Sequence, residues 1–79
     1  MFKEYEVVKL KRNIPLEELL KISGAIIKHI PPGGLNMGAQ GTIVMVYPGS
    51  PPGFDVEFVD EEGYTVAILT LKEDDLEKV

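Results

Sequence analysis

The chain has 79 residues, of which 44% are hydrophobic and 27% charged, and a formal net charge of −5. This length fits one domain, residues 1–79, and the composition excludes a disordered polypeptide, while the lack of cysteine excludes disulfides and thiolate chemistry. No apolar run approaches the roughly 18 residues of a membrane span, and residues 1–6 lack the apolar core of a signal peptide. We therefore expect a cytoplasmic protein without membrane contact.

The first predicted element is a strand at residues 5–10. Val8 and Leu10 lie two apart with a charged residue between them, so they share the buried face of a half-exposed strand. Pro15 ends this extended pattern because it cannot donate a hydrogen bond to a ladder. The same residue can occupy the first position of a helix.

An apolar stripe follows within a long first loop at about residues 15–34. Its spacings of three, four and seven are typical of one face of a helix. Gly24 weakens such a helix by about 1 kcal/mol relative to alanine. Two alternatives stay open: one long helix, or a helix at residues 16–22 followed by an extended segment. The stripe consists of Leu16, Leu19, Leu20, Ile26, Ile27 and Ile30.

Residues 38–71 are predicted to form a three-stranded meander. Gly38 and Gly41 lead into an apolar strand at residues 42–47, which a Pro/Gly loop at residues 48–53 follows. Phe54, Val56 and Phe58 then alternate with acidic residues, so all three are expected to face the core. A hairpin loop at residues 60–63 precedes the third strand at residues 64–71. Residues 72–79 are expected to form a helical turn and a short closing strand.

Several short motifs resemble a known fold and a known family. The strand Val-Val-Lys-Leu, the turn Gly-x-x-Gly-Thr-Ile-Val and the final Leu-x-x-x-Asp-Leu-x-x-Val resemble a small SH3-like barrel. More narrowly, Tyr-Glu-Val-Val-Lys-Leu at 5–10, Gly-Thr-Ile-Val at 41–44 and Val-Glu-Phe at 56–58 resemble a family of short, mostly bacterial proteins classed only as a domain of unknown function.

The resemblance implies a mainly β fold, a small five-stranded SH3-like barrel with a helix-containing insertion in the first long loop. Similar barrels occur in the nitrile hydratase beta subunit, a photosystem I accessory subunit and the variable chain of ferredoxin-thioredoxin reductase. Because these barrels dock beside catalytic or redox partners, the resemblance also implies a binding role. It places no functional residue on this sequence.

The apolar stripe is the first candidate for a functional surface. A small barrel cannot bury six large aliphatic side chains from one loop, and exposed apolar surface marks an interface. The alternative is a flap that closes one end of the barrel. The leading hypothesis is a non-enzymatic protein-protein interaction module in which the stripe binds a protein partner or a second copy of the chain.

Acidic residues form a second candidate surface. Residues 1–30 carry a net charge of +2 and residues 31–79 carry −7. An ordinary mixed surface accounts for this imbalance, but an acidic face could also steer a basic partner. The imbalance favours two alternatives: an accessory or regulatory subunit that docks an enzyme or redox partner, and an immunity or antitoxin protein. The possible docking residues are Asp60, Glu61, Glu62, Glu73, Asp74 and Asp75.

No residue pattern indicates catalysis or a cofactor. His29 is the single histidine, and no pattern places an orienting acid or a nucleophile beside it. The acidic clusters lack the spacing that wraps a loop around Ca²⁺. Nucleic-acid binding needs a basic stripe, whereas the isoelectric point is about 4.7. We therefore expect no catalytic residue, no metal, no cofactor and no nucleic-acid partner.

Overall fold

The structure of the protein is a computed structural model, which describes residues 2–29 and 31–79. Its strands are β1 (Val7–Leu10), β2 (Ile26–Ile27), β3 (Gln40–Tyr47), β4 (Gly53–Val59), β5 (Thr65–Lys72) and β6 (Leu76–Lys78). One short helix, α1 (Leu16–Leu19), follows β1, and a 3-10 turn, Glu73–Asp75, connects β5 to β6. The fold is therefore mainly β, as predicted, and the turn and short strand expected near the end are present.

The six strands form an antiparallel sheet in the order β2-β5-β4-β3-β1-β6. The consecutive pairing of β3, β4 and β5 confirms the predicted meander. The predicted five-stranded barrel is wrong, because the sheet is open and its edge strands β2 and β6 do not pair within the described part of the chain. A barrel closes only when its edge strands hydrogen-bond to each other. Here the first loop instead contributes β2, which pairs with the free edge of β5.

The strand register sorts side chains into an inner and an outer face. Ile43 lies opposite Val56, which lies opposite Leu69, and all three are completely buried. Since side chains alternate between the faces of a strand, the intervening positions face outward. The neighbouring inner row consists of Val46, Phe54 and Leu71, and an outer row consists of Met45, Asp55 and Thr70.

The core lies on the inner face of this sheet. Phe54, Val56 and Phe58 are all buried there, which confirms the prediction made from their spacing. Phe54 packs edge to face against Phe2, with ring centroids 5.5 Å apart and planes at 76°. Because α1 is one turn long and buries only Leu19, most of the core contacts come from the sheet itself.

The first long loop is not a helical insertion. Helix α1 ends at Leu19, so both predicted lengths, the long helix and the helix at residues 16–22, are too long. Gly24 adopts a φ of +76°, a left-handed conformation that ends helices and that glycine adopts without strain. The chain then becomes extended in β2. The predicted first strand also begins later, at Val7, because Tyr5 has a φ of +67°.

Candidate functional site

A groove of about 550 Å³ lies at the end of the sheet where β3 begins and β4 ends. Its floor is apolar, because Leu35, Phe58 and Val66 are core residues and Ala39 packs against the same core. Binding pockets usually combine an apolar floor with a few polar groups at the rim. The remaining lining residues are Pro31, Gln40, Val59, Asp60 and Glu61.

One wall of the groove is the loop that precedes β3. Leu35 exchanges two backbone hydrogen bonds with Ile14, at 2.8 and 2.9 Å. The backbone N–H of Met37 also donates to Oδ1 of Asn13 at 2.7 Å. These bonds join the loop to the segment after β1, more than twenty residues away in sequence. The wall is therefore held by the fold, although it contains little regular secondary structure.

The opposite wall is the hairpin loop between β4 and β5. Oδ1 of Asp60 accepts hydrogen bonds from the backbone N–H groups of Glu62 and Tyr64, at 2.9 and 3.0 Å. This arrangement is typical of Asp in turns, where the side chain replaces a backbone acceptor. The bonds hold Asp60 and the adjacent Glu61 at the rim of the groove. Glu61 itself makes no hydrogen bond or ion pair with a described residue.

The acidic residues do not form one continuous face. Asp60, Glu61 and Glu62 lie before β5, whereas Glu73, Asp74 and Asp75 lie after it. The eight residues of β5 separate the two groups by about 23 Å at the usual rise per residue. Only Asp60 and Glu61 line the groove. The sequence therefore identified two of the rim residues but grouped them with carboxylates at the other end of the strand.

Asp75 belongs to an ion-pair network rather than to an open acidic surface. Its Oδ1 accepts a hydrogen bond from Nε of Arg12 at 2.9 Å, and its Oδ2 accepts one from the backbone N–H of Lys72 at 3.1 Å. Arg12 also binds both carboxylate oxygens of Glu18, at 2.9 and 2.6 Å. The hydrogen bonds from Arg12 to Glu18, which have the larger effect, and to Asp75 raise the pKa of Arg12. The hydrogen bonds between Arg12 and Glu18 also lower the pKa of Glu18. The network ties α1 to the 3-10 turn.

The predicted apolar stripe is divided between the core and the surface. Leu19 is completely buried, and Ile27 packs against the core. In contrast, Leu16, Leu20 and Ile26 are exposed. Ile30 lies outside the described residues. The stripe is thus not one surface, because the turn at Gly24 separates the helical residues from the extended ones.

The outer face of the sheet carries a hydroxyl and carboxylate cluster that the sequence did not indicate. Asp55 accepts hydrogen bonds from the hydroxyl groups of Tyr47 and Thr70, which lie on the neighbouring strands. The hydrogen bond to Asp55 raises the pKa of Tyr47, because ionisation of the hydroxyl would lose this bond and place a second negative charge beside the carboxylate. Glu57 similarly accepts a hydrogen bond from Thr65 at 2.7 Å. Each contact joins adjacent strands and stabilises the sheet.

The structure also bears on the histidine, on metal-ligating side chains and on membrane-spanning helices. His29 is exposed, and its backbone N–H donates to the carbonyl of Val66 at 3.1 Å. No group of three metal-ligating side chains that could hold an ion lies in residues 2–29 and 31–79. None of the described helices has the length and apolar character needed to cross a bilayer.

The floor of the groove was not apparent from sequence. Phe58 belongs to an alternating pattern that predicts burial, Val66 belongs to the predicted third strand, and Leu35 belongs to a loop between glycines. Period-two alternation predicts the inner-face position of Phe58. It does not predict the burial of Val66, which lies beside Ala67 where the register between β4 and β5 shifts, or that of Leu35, which lies in no strand. Whether these residues line a groove depends on the path of the loop before β3, which the sequence does not show.

Together these features define a class: a small, mainly β protein whose open antiparallel sheet carries an apolar groove at one end. The chain belongs to the family described as the domain of unknown function DUF4926, whose model matches residues 4–78. This match confirms the resemblance to a domain of unknown function and assigns no role. No curated protein and no solved structure matches the chain. The suggested relationship to the nitrile hydratase beta subunit and other SH3-like barrels is not supported by these comparisons.

Proposed function

We propose that this protein is a non-enzymatic protein-binding module, and that the groove holds an extended segment of its partner. The observation that carries the proposal is the apolar floor of Leu35, Phe58 and Val66 beside the polar rim of Asp60 and Glu61. The floor residues are nearly buried already, so the affinity comes mainly from covering the exposed apolar lining, above all Val59, and the rim orients the bound segment. An accessory subunit that docks an enzyme or redox partner would act in the same way.

The walls of the groove favour binding with little rearrangement. Backbone and side-chain hydrogen bonds hold the loop before β3 and the hairpin loop after β4. Binding to a preformed site avoids part of the entropy cost of ordering the protein. A short peptide can therefore bind with measurable affinity even though the groove is small.

Selection from a library of random linear peptides tests this proposal directly. Peptides are first selected for binding to the wild-type protein. Their affinities are then measured for Ala39→Leu, whose larger side chain fills the groove, and for Ala39→Ser, which leaves the groove open. Ala39→Leu is expected to weaken binding by about tenfold or more, because the added side chain occupies the space of the peptide. Ala39→Ser should bind within about twofold of wild type. Fluorescence anisotropy of labelled peptides measures each Kd.

Thermal unfolding of both variants provides the folding control. Selected peptides that bind wild type and Ala39→Ser but not folded Ala39→Leu support the proposal. The proposal is rejected if selection yields no peptide that Ala39→Leu discriminates.

A second candidate function is self-association through α1. Leu16 is 39% exposed, and Leu20, the residue that caps the end of α1, is 66% exposed. The backbone N–H of Leu20 donates to the carbonyl of Leu16 at 3.1 Å, so the two residues lie on the same face of the turn. Glu17 and Lys21, both exposed, flank this pair. In a two-fold symmetric contact, Glu17 of one copy can lie opposite Lys21 of the other, which is the charge pairing that self-association through this surface requires.

Replacing Leu20 with lysine tests self-association. If α1 forms the contact, sedimentation velocity should show a wild-type dimer that Leu20→Lys converts to monomer, because a charge is then buried at the interface. Met37→Lys is the matched control, since Met37 is 64% exposed in a different segment. The sedimentation experiment is repeated over a range of protein concentrations. Wild-type protein that is monomeric at every concentration would eliminate this candidate, and so would equal loss of dimer in both variants.

A further inference from the structure

We propose that the groove selects a partner segment that carries an arginine or lysine next to an apolar side chain. This inference rests on the proposed function and specifies the chemistry of the occupant. It follows from the charge at the rim, the apolar character of the floor and the charge of the whole chain.

The carboxylates at the rim have capacity for a cation. Glu61 makes no hydrogen bond or ion pair with a described residue. Likewise, Oδ2 of Asp60 accepts no hydrogen bond from a described residue. Lys28 adjoins the groove through its backbone N–H, which donates to Val66 at 2.9 Å. Its side chain nevertheless forms no ion pair with either carboxylate in the described part of the chain. No lining residue is basic.

The floor fits the rest of a basic side chain. Arginine and lysine place long alkyl stems on apolar surface while their charged groups stay near water. A stem across Phe58 and Val66 would bring the charged group to the hairpin loop that holds Asp60 and Glu61. The planar guanidinium of arginine can also bind a carboxylate through two hydrogen bonds, which favours arginine over lysine. An adjacent apolar side chain of the partner would then contact Leu35 and Ala39.

The charge of the protein supports the same occupant. The net charge of the chain is −5, and the side chains that line the groove include two carboxylates and no base. A field of this sign attracts a basic segment and disfavours an acidic one before contact is made. Acidic or purely apolar segments would leave the rim carboxylates without a charged partner.

The peptide selection described above also tests this chemistry. Groove-dependent peptides should share an arginine or lysine beside an apolar residue. One such peptide is then synthesised with the basic residue and, if that residue is arginine, with citrulline, which keeps the shape but removes the charge. We expect citrulline to weaken binding to the wild-type protein about fivefold, in the range of a partly exposed ion pair.

Two protein variants test which carboxylate binds the basic residue of the peptide. Glu61→Gln should weaken binding of the arginine peptide about threefold and should reduce the penalty for citrulline, because the two groups interact. Glu62→Gln is the matched control in the same loop, since Glu62 does not line the groove. Its Kd should stay within the error of wild type. Raising the salt concentration should weaken the arginine peptide more than the citrulline peptide.

The outcomes separate this inference from the proposed function. Groove-dependent peptides without a basic residue would overturn the inference and leave the binding function in place. Equal effects of Glu61→Gln and Glu62→Gln would also overturn it. A selection without any groove-dependent peptide would overturn both.

Discussion

Replacing Gly34 with alanine is expected to lower the free energy of unfolding by about 3 kcal/mol, a large share of the stability of so small a domain. Gly34 has a φ of +97°, which side chains rarely adopt. A Cβ at this position would also collide with the carbonyl oxygen of Ile14 and would lie 2.7 Å from the nitrogen of Leu16. Both neighbours are backbone atoms, so they cannot move aside as a flexible side chain can.

Gly33→Ala separates collision from backbone strain. Gly33 also has a positive φ, +85°, but a Cβ there meets no atom within 4 Å. Its replacement should therefore cost only the strain of the left-handed conformation, about 1 kcal/mol. Urea unfolding followed by circular dichroism measures both losses. Equal losses in the two variants would contradict the close approach of Gly34 to the backbone of residues 14–16.

Gly34 affects the groove as well as the stability of the fold. Gly34 immediately precedes Leu35, whose two hydrogen bonds to Ile14 hold the loop that forms one wall. An alanine that pushes the loop away from residues 14–16 would break this pairing. Gly34→Ala protein that remains folded should therefore also lose affinity for peptides that bind the groove.

Replacing Phe54 with alanine is expected to cost about 4 kcal/mol, within the usual range for removing a buried phenylalanine. Phe54 is completely buried and is the largest of the fully buried side chains in the described residues. It also loses the edge-to-face contact with Phe2. The cost includes both the burial of the ring and the cavity that remains when a tightly packed core fails to collapse.

Two further variants calibrate the Phe54 result. Phe54→Leu keeps most of the volume and should cost about 1.5 kcal/mol. Tyr64→Ala removes an aromatic ring that is 69% exposed and should change the free energy of unfolding by about 0.5 kcal/mol or less. Chemical denaturation of all three proteins gives the comparison. A Phe54→Ala loss no larger than that of Tyr64→Ala would mean that the ring is not part of the core.

Much of the sheet could be predicted from sequence because its signals are local. The alternation of Phe54, Val56 and Phe58 with acidic residues shows which face of β4 is buried, whatever its neighbours are. Turn residues at 48–53 and 60–63 separate the strands of the meander, and consecutive strands usually pair. These rules depend on residues only a few positions apart, so they need no knowledge of the tertiary structure.

The first loop shows where local rules fail. Apolar spacing from Leu16 to Ile27 is compatible with a helix, yet only one turn forms and Ile26 and Ile27 pair with β5. The free edge of β5 lies some forty residues further along the chain. Helix propensity is weak compared with such a tertiary contact. The same pairing adds a sixth strand and leaves the sheet open where a barrel was expected.

The sequence alone therefore determined the meander, the buried face of β4 and the lack of a cysteine-based site, because composition and short-range periodicity control these properties. Tertiary structure decided which carboxylates lie together and which end of the core is open. Asp60 and Glu61 border the groove, whereas Asp75 pairs with Arg12, although all three carry the same charge. The difference arises because a binding site consists of residues from separate segments, and only the path of the chain in space brings these segments together.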